Sequence, residues 1–256
     1  MTQLRDYHNK VKFKLLHEYI TYLQENDLND TIFDIGVGRG GDMHKWNKCG
    51  VQNVYGIDPS KASIFDAIKR YKNIEHLKKR NYKFFFYRKS EGFLNIFNKK
   101  VKQEINKVNI ISCMFAFHYF FMNDWALSSF FTNCNTILEK DGFILITVPD
   151  GNVITNLLQD KLNYQNNAIK IDKAEYKCKG LGDAIDFFLS DTIYFGEKLV
   201  SKEYLVFYET LKCYADKYGF KIIKNTTFHE YIVPELEDND DIIASGINKI
   251  YVLQKL

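Results

Sequence analysis

Thr31-Ile32-Phe33-Asp34-Ile35-Gly36-Val37-Gly38-Arg39-Gly40-Gly41-Asp42 reads as a buried strand that breaks into a glycine-rich turn and then opens a helix. Val54-Tyr55-Gly56-Ile57-Asp58-Pro59 supplies a second strand that ends in an acidic residue. Glycines within the turn let the backbone bend sharply and approach a ligand, because no Cβ stands in the way. A carboxylate at the tip of the next strand takes the hydroxyls of a ribose. Asp58 follows Gly36 at close to the roughly 20 residues expected of a nucleoside-binding βαβ unit.

A glycine-rich turn alone is often only a tight turn. The strand before it, the helix after it and Asp58 at the right distance make it a nucleoside site. The glycines depart from the dinucleotide pattern G-x-G-x-x-G, since Gly41 and Asp42 follow Gly40 with no glycine at the sixth place. That disfavours a pyrophosphate on the helix N-terminus, and with it a nicotinamide-dependent oxidoreductase. The D-x-G-x-G form suits S-adenosylmethionine, which carries no phosphate.

Outward from this unit, the chain of 256 residues is long enough for one large α/β domain with a full core. Its hydrophobic fraction of 46% and aromatic fraction of 16% are those of a folded protein, and only three prolines argue against a linker between two domains. A net charge of +3 excludes a strongly basic nucleic-acid binder as a whole. Local charge is less even: Lys10, Lys12, Lys14, Arg39, Lys45 and Lys48 lie near the proposed site, whereas Glu235 to Asp241 is acidic. Cysteines 49, 113, 134, 178 and 213 have no C-x-x-C or His/Cys metal spacing, which predicts reduced thiols, several buried, in a cytosolic compartment. Neither a signal peptide nor an 18-residue apolar run is apparent, so no membrane association is expected.

Val11, Leu15, Leu16, Tyr19, Ile20 and Leu23 recur at helical spacing and predict an amphipathic helix over 7–25. Strands are predicted near 31–35, 53–57, 81–87, 109–114 and 142–148, with helices near 41–48, 60–79 and 125–138. This alternation implies a parallel sheet with right-handed crossovers and a ligand at the strands' carboxyl ends. Beyond Pro149 a helix near 201–218 and strands near 220–228 and 247–254 finish the sheet as an antiparallel hairpin. Residues 160–200 read as an insertion that sets acceptor specificity.

Phe115-Ala116-Phe117-His118-Tyr119-Phe120 follows directly on the fourth strand. A lone His-Tyr pair there commonly closes an aromatic core, but this one falls on the ligand-binding edge, opposite the glycine turn. Thr147-Val148-Pro149-Asp150-Gly151 ends the neighbouring strand, and Glu203 is expected to open a helix with aromatics around it. Rings stack on a purine and a carboxylate accepts the N1 and N2 protons of guanine. In a helix's first turn, however, an acidic residue is also favoured by the dipole alone.

With these residues assembled, the chain resembles the mRNA cap guanine-N7 methyltransferases from about Leu4 to Lys255. The resemblance rests on Leu4 to Lys12, on Asp34 to Asp42, on Phe115-Ala116-Phe117-His118-Tyr119, on Lys202-Glu203-Tyr204-Leu205-Val206 and on Tyr214 to Phe220. Asp150-Gly151 and the form of the last strand look most like capping enzymes of large cytoplasmic DNA viruses, of the poxvirus, asfarvirus and mimivirus type. In several of these the methyltransferase is the C-terminal domain of a longer chain with triphosphatase and guanylyltransferase parts. The implied fold is a Rossmann-like class I methyltransferase over 1–256, with a mostly parallel seven-stranded sheet, helices on both faces and a C-terminal antiparallel hairpin. The implied setting is cytoplasmic, a viral factory or a virion.

The resemblance also implies roles. Lys12, Asp34, Gly36, Gly38, Asp42, Asp58 and Met114 would bind S-adenosylmethionine, Lys12 at its carboxylate and Asp58 on its ribose. His8, Asn9, Arg39, His118, Tyr119, Pro149, Phe187 and Glu203 would bind the cap, with Glu203, His118 and Tyr119 positioning guanine and Arg39 near the triphosphate. The partner would be 5′-guanosine-capped RNA, with triphosphatase and guanylyltransferase domains or a stimulatory subunit beside it. Guanine N7 has an available lone pair, so direct transfer calls for no general base and no metal. Three positions depart from the family pattern: Arg88, with Ser90 two residues on, replaces the adenine-binding Asp; Met114 replaces a Gln; and Asn248 replaces a Tyr that covers the base, with Tyr251 three residues later. The competing readings are a methyltransferase with another acceptor and a non-catalytic RNA-binding module.

Overall fold

The computed structural model describes residues 2–86, 107–175, 180–190 and 200–256. Helix α1 (Gln3–Glu25) is capped by the Thr2 hydroxyl and turns Leu4, Tyr7, Val11, Leu15 and Ile20 inward at the predicted spacing. Then follow β1 (Ile32–Ile35), α2 (Met43–Lys48), β2 (Asn53–Asp58), α3 (Lys61–Asn73) and β3 (Asn81–Phe86). β4 (Val108–Met114) runs into a 3-10 turn over Phe117–Met122, then α4 (Asp124–Ile137) and β5 (Leu138–Pro149). β5 begins earlier than predicted, because Leu138 already pairs with Val108 before the chain bends at Asp141.

After β5 comes a short helix that the sequence reading lacks, α5 (Gly151–Leu158), whose N-terminus is capped by Asp150. The predicted insertion is a sheet of its own: β6 (Asn163–Gln165), β7 (Ile169–Glu175), β8 (Ala184–Leu189) and β9 (Ser201–Tyr204), antiparallel throughout. Its last strand corrects the expected helix over 201–218, which begins only at α6 (Tyr208–Lys217). Antiparallel pairing with the preceding strand β8 overrides the helical reading of 201–204. The chain closes with β10 (Phe220–Thr227), α7 (Phe228–Tyr231), α8 (Asn239–Gly246) and β11 (Asn248–Lys255).

The main sheet has the order β10-β11-β5-β4-β1-β2-β3. Strands β5, β4, β1, β2 and β3 are parallel, while β11 is antiparallel to both β5 and β10. The central strands are buried on both sides, as parallel strands covered by helices must be. Alternation divides them between two cores. Ile32, Ile110 and Leu145 pack on the α1 side, and Phe33, Ile111 and Ile144 pack on the α4 and α6 side. Cys49, Cys113 and Cys134 are buried free thiols and Cys213 is exposed, while Cys178 lies outside the described residues. Among the described residues no helix is long and apolar enough to cross a membrane.

Candidate active site

The carboxyl ends of β1, β2, β4 and β5 form the working edge. Past Ile35 the backbone takes positive φ at Gly36 (+78°) and Gly38 (+52°), the left-handed region that favours glycine. At Gly36 the requirement is also steric, since a Cβ there would lie 2.4 Å from the Ala116 Cβ. At Gly38 an added Cβ meets nothing within 4 Å, so the backbone is open to a ligand. Asp58 closes the turn: its carboxylate accepts from the Gly38 amide at 3.0 Å and from the Ser60 amide at 2.8 Å. Phe86 pairs with Asp58 at the end of β3 and is 36% exposed, an apolar surface beside the carboxylate. Arg88 and Ser90 lie outside the described residues.

Charge on the other side of the turn is tightly arranged. Lys12 of α1 reaches Asp42 at 2.8 Å, and Lys45 of α2 reaches the same carboxylate at 2.6 Å. Burial works against this carboxylate, but Lys12 and Lys45 outweigh it and hold its pKa down at about 2. Lys45 also donates to the Asn9 side chain at 2.8 Å, which joins α1 to α2. Asp34 has the opposite fate. Burial, with Asp42 adding to it, pushes its carboxyl up to about 8, although the Ser112 hydroxyl hydrogen-bonds to it. At neutral pH the site therefore holds one neutral and one ionised aspartate, with two ammonium groups around the latter. A cavity of about 550 Å³ between α1, α2 and Glu235 shares Asn9 and Lys45 with this cluster.

The second half of the edge begins with a backbone feature that no residue pattern announces. Met114 ends β4, and Phe115 then takes φ +56°, a left-handed conformation costly for a bulky side chain. The Phe115 amide donates to Thr147 at 2.8 Å, holding the kink against β5. The Phe115 ring packs on His8 and Phe228, each with centroids within 6 Å. Ala116 turns toward Gly36, and the 3-10 turn follows. His118 is 3% exposed and Tyr119 41%, with ring centroids 4.1 Å apart.

Glu203 faces them from β9, not from a helix, so the dipole explanation of its charge does not apply. Its Oε2 lies 3.9 Å from His118 Nε2, and its Oε1 accepts from the Ser201 hydroxyl at 2.9 Å. Ser201 pairs with Phe187 and Glu203 with Ile185, so these four side chains share one face of the second sheet. Pro149 is buried at the end of β5 opposite Asn248. His118 in the turn after β4 thus meets Glu203 of the second sheet, with Phe187 on the same face of that sheet, an arrangement able to grip a flat ring with a donor edge.

Other expected residues stand elsewhere. Arg39 reaches Asp66 of α3 at 3.3 Å. The Asn248 side chain donates to the last carbonyls of α8, at Ala244 and Ser245, and is buried there. Tyr251 does not take over as a cover for a base: it is fully buried, and its hydroxyl donates to Asp150 at 2.9 Å. His8 is held neutral, with burial, then Lys12 and His229, pulling its pKa down to about 3.

The family model for the mRNA (guanine-N(7))-methyltransferase domain matches residues 1–247. The chain belongs to the mRNA (guanine-N7)-methyltransferase family. It is 26% identical to a Drosophila melanogaster mRNA cap guanine-N(7) methyltransferase, covering 96% of this chain and 60% of the fly protein. It is 28% identical to a probable mRNA-capping enzyme of Acanthamoeba polyphaga mimivirus, over 88% of this chain and 22% of that protein. The chain thus spans only part of the length of these curated relatives. In fold it is similar to an S-adenosylmethionine-dependent methyltransferase from Clostridium acetobutylicum, with TM-score 0.59, 15% identity and coverage of 95% of this chain and 92% of that one. The family's mostly parallel sheet with an antiparallel C-terminal pair is the sheet described above.

Proposed function

We propose that this chain transfers a methyl group from S-adenosylmethionine to N7 of the guanosine that caps RNA. The observation that carries the reading is the meeting of the two half-sites at one sheet edge, where Ala116 packs against Gly36 two residues before His118. The residues present fit the cofactor: Gly38 leaves open space, Asp58 offers a positioned carboxylate to ribose hydroxyls, and Lys12 and Lys45 supply positive charge for the amino-acid carboxylate. Bound there, S-adenosylmethionine would supply a methyl group activated by its sulfonium.

Every other part falls to the chain's own residues. Glu203 accepts from the N1 and N2 donors of guanine, while His118, Tyr119, Pro149 and Phe187 confine the ring. Because N7 presents a lone pair, His118 orients the base and takes no proton. Holding the reacting atoms in line is an entropic contribution of up to roughly 7–11 kcal/mol in well-oriented systems. Glu203 also favours the positive charge that the base acquires. His8 and Asn9 extend the cap side along α1, and Arg39 reaches the phosphates on exchanging Asp66 for them.

The likeness to part of the mimivirus protein supports a role as the methyltransferase part of a larger capping system, in which triphosphatase and guanylyltransferase activities prepare the substrate. Buried free thiols at Cys49, Cys113 and Cys134 agree with a cytoplasmic setting. Incubation with methyl-labelled cofactor and either guanosine-capped RNA or GTP tests the activity. Label on guanine N7 is expected; no label on either acceptor overturns the reading in favour of another acceptor.

A further inference from the structure

Glu203 is held by a neighbour on its own strand, and that neighbour has no part in the family motif through which Glu203 was found. Ser201 stands two residues before it on β9, so both side chains project from the same face. The Ser201 hydroxyl lies 2.9 Å from Glu203 Oε1 and 3.3 Å from the Phe187 carbonyl. A hydroxyl has one proton to give. The shorter distance and the charge of the carboxylate assign that proton to Glu203. The Phe187 carbonyl belongs to the paired residue across the strand, which fixes where the hydroxyl sits.

The consequence is a carboxylate with its two oxygens distinguished. Oε1 receives Ser201, and Oε2 points toward His118 at 3.9 Å. An unsupported glutamate has three rotatable side-chain bonds, and ordering them on binding opposes association. Resting on the proposed cap site, we infer that Ser201 is a positioning residue for guanine: it pre-sets the Glu203 carboxylate so that the acceptor pair is in place before the base arrives. Ser201 touches no reacting atom and acts through Glu203 alone.

That route makes the test a double-mutant cycle. Affinity for a cap dinucleotide is measured by calorimetry in the presence of S-adenosylhomocysteine, beside KM and kcat on capped RNA. S201A is expected to weaken cap binding and raise the capped-RNA KM about 10-fold, equivalent to about 1.4 kcal/mol. S-adenosylhomocysteine affinity and kcat should stay near those of the parent protein, and S201T, which keeps the hydroxyl, should restore cap binding. In an E203A background, S201A should add less than 2-fold, because the group it positions is gone. Equal losses from S201A in both backgrounds, or an S201A protein with unchanged cap affinity, overturn the positioning role. An E203A protein that binds cap as the parent does instead overturns the base site itself, which separates the two failures.

Discussion

The two halves of the working edge are built in different ways. The cofactor half is mostly a product of nearby chain: Gly36 to Asp42 form the turn after β1, Asp58 ends the adjacent parallel strand β2, and the Asp58 carboxylate accepts from the backbone of that turn. The base half draws Phe115 to Tyr119 from the end of β4 and Glu203 and Phe187 from a separate antiparallel sheet. The first half depends on backbone conformation and local charge pairing. The second depends on two sheets being held at the correct separation. The difference teaches that the half proposed for the cofactor is built from neighbouring strands, whereas the half proposed for the base draws on a second sheet.

Gly36 is where the halves touch, and breaking it should have the largest effect. Gly36→Ala places a methyl 2.4 Å from Ala116 Cβ on a left-handed backbone, and a loss of about 3 kcal/mol in urea unfolding is expected. A variant as stable as the parent would show that the contact does not couple them. Next comes Glu203→Ala, for which a fall of about 100-fold in kcat/KM on capped RNA, or roughly 2.7 kcal/mol, is expected with cofactor affinity unchanged. A parental kcat/KM on capped RNA would sink that assignment.

The converse change, Asp58→Ala, should raise the calorimetric dissociation constant for S-adenosylmethionine about 10-fold, or about 1.4 kcal/mol. Unchanged binding would remove Asp58 from the cofactor half. The smallest effect is one of pH. Folded Asp34 keeps its proton up to about 8 whereas the unfolded carboxyl loses it near the ordinary aspartate value of 3.8. The native state therefore binds more protons in this window, and stability falls as pH rises. Asp34→Asn should abolish about 1 kcal/mol of that fall between pH 6.5 and 7.5. His8, whose pKa is lowered from 6.5 to about 3, adds a smaller slope of opposite sign at the acid end of this window, and that slope is common to parent and variant. A parent and variant with the same slope would place Asp34 in a charged state instead.

Much of this was readable before any coordinates. The strand-turn-helix over 31–48 and Asp58 at the next strand tip followed from glycine placement and apolar runs, because parallel strands buried on both faces carry an unmistakable composition. α1 was visible in its periodicity, though it starts at Gln3. Glu203 was found by resemblance but put on the wrong element. Nothing in Ser201-Lys202-Glu203-Tyr204 itself opposes a helix strongly, and only pairing with β8 makes it a strand. The resemblance implies Lys12 and Asp42 as cofactor residues and leaves Lys45 as local basic charge; that the three form one ion-paired cluster is visible only in the fold, where α1 meets α2.

By itself, then, the sequence determined the sheet class, the glycine turn after β1 and the carboxylate at the tip of β2. These depend on short-range stereochemistry: left-handed backbone at glycine, period-two burial and a carboxylate at a strand tip. The tertiary structure alone decided that Phe115 bends left-handed to bring Ala116 onto Gly36, that Asp34 stays neutral beside an ionised Asp42, and that Glu203 meets His118 from a second sheet. Each of those is set by groups distant along the chain, whose separation, burial and mutual charge exist only once the chain has folded.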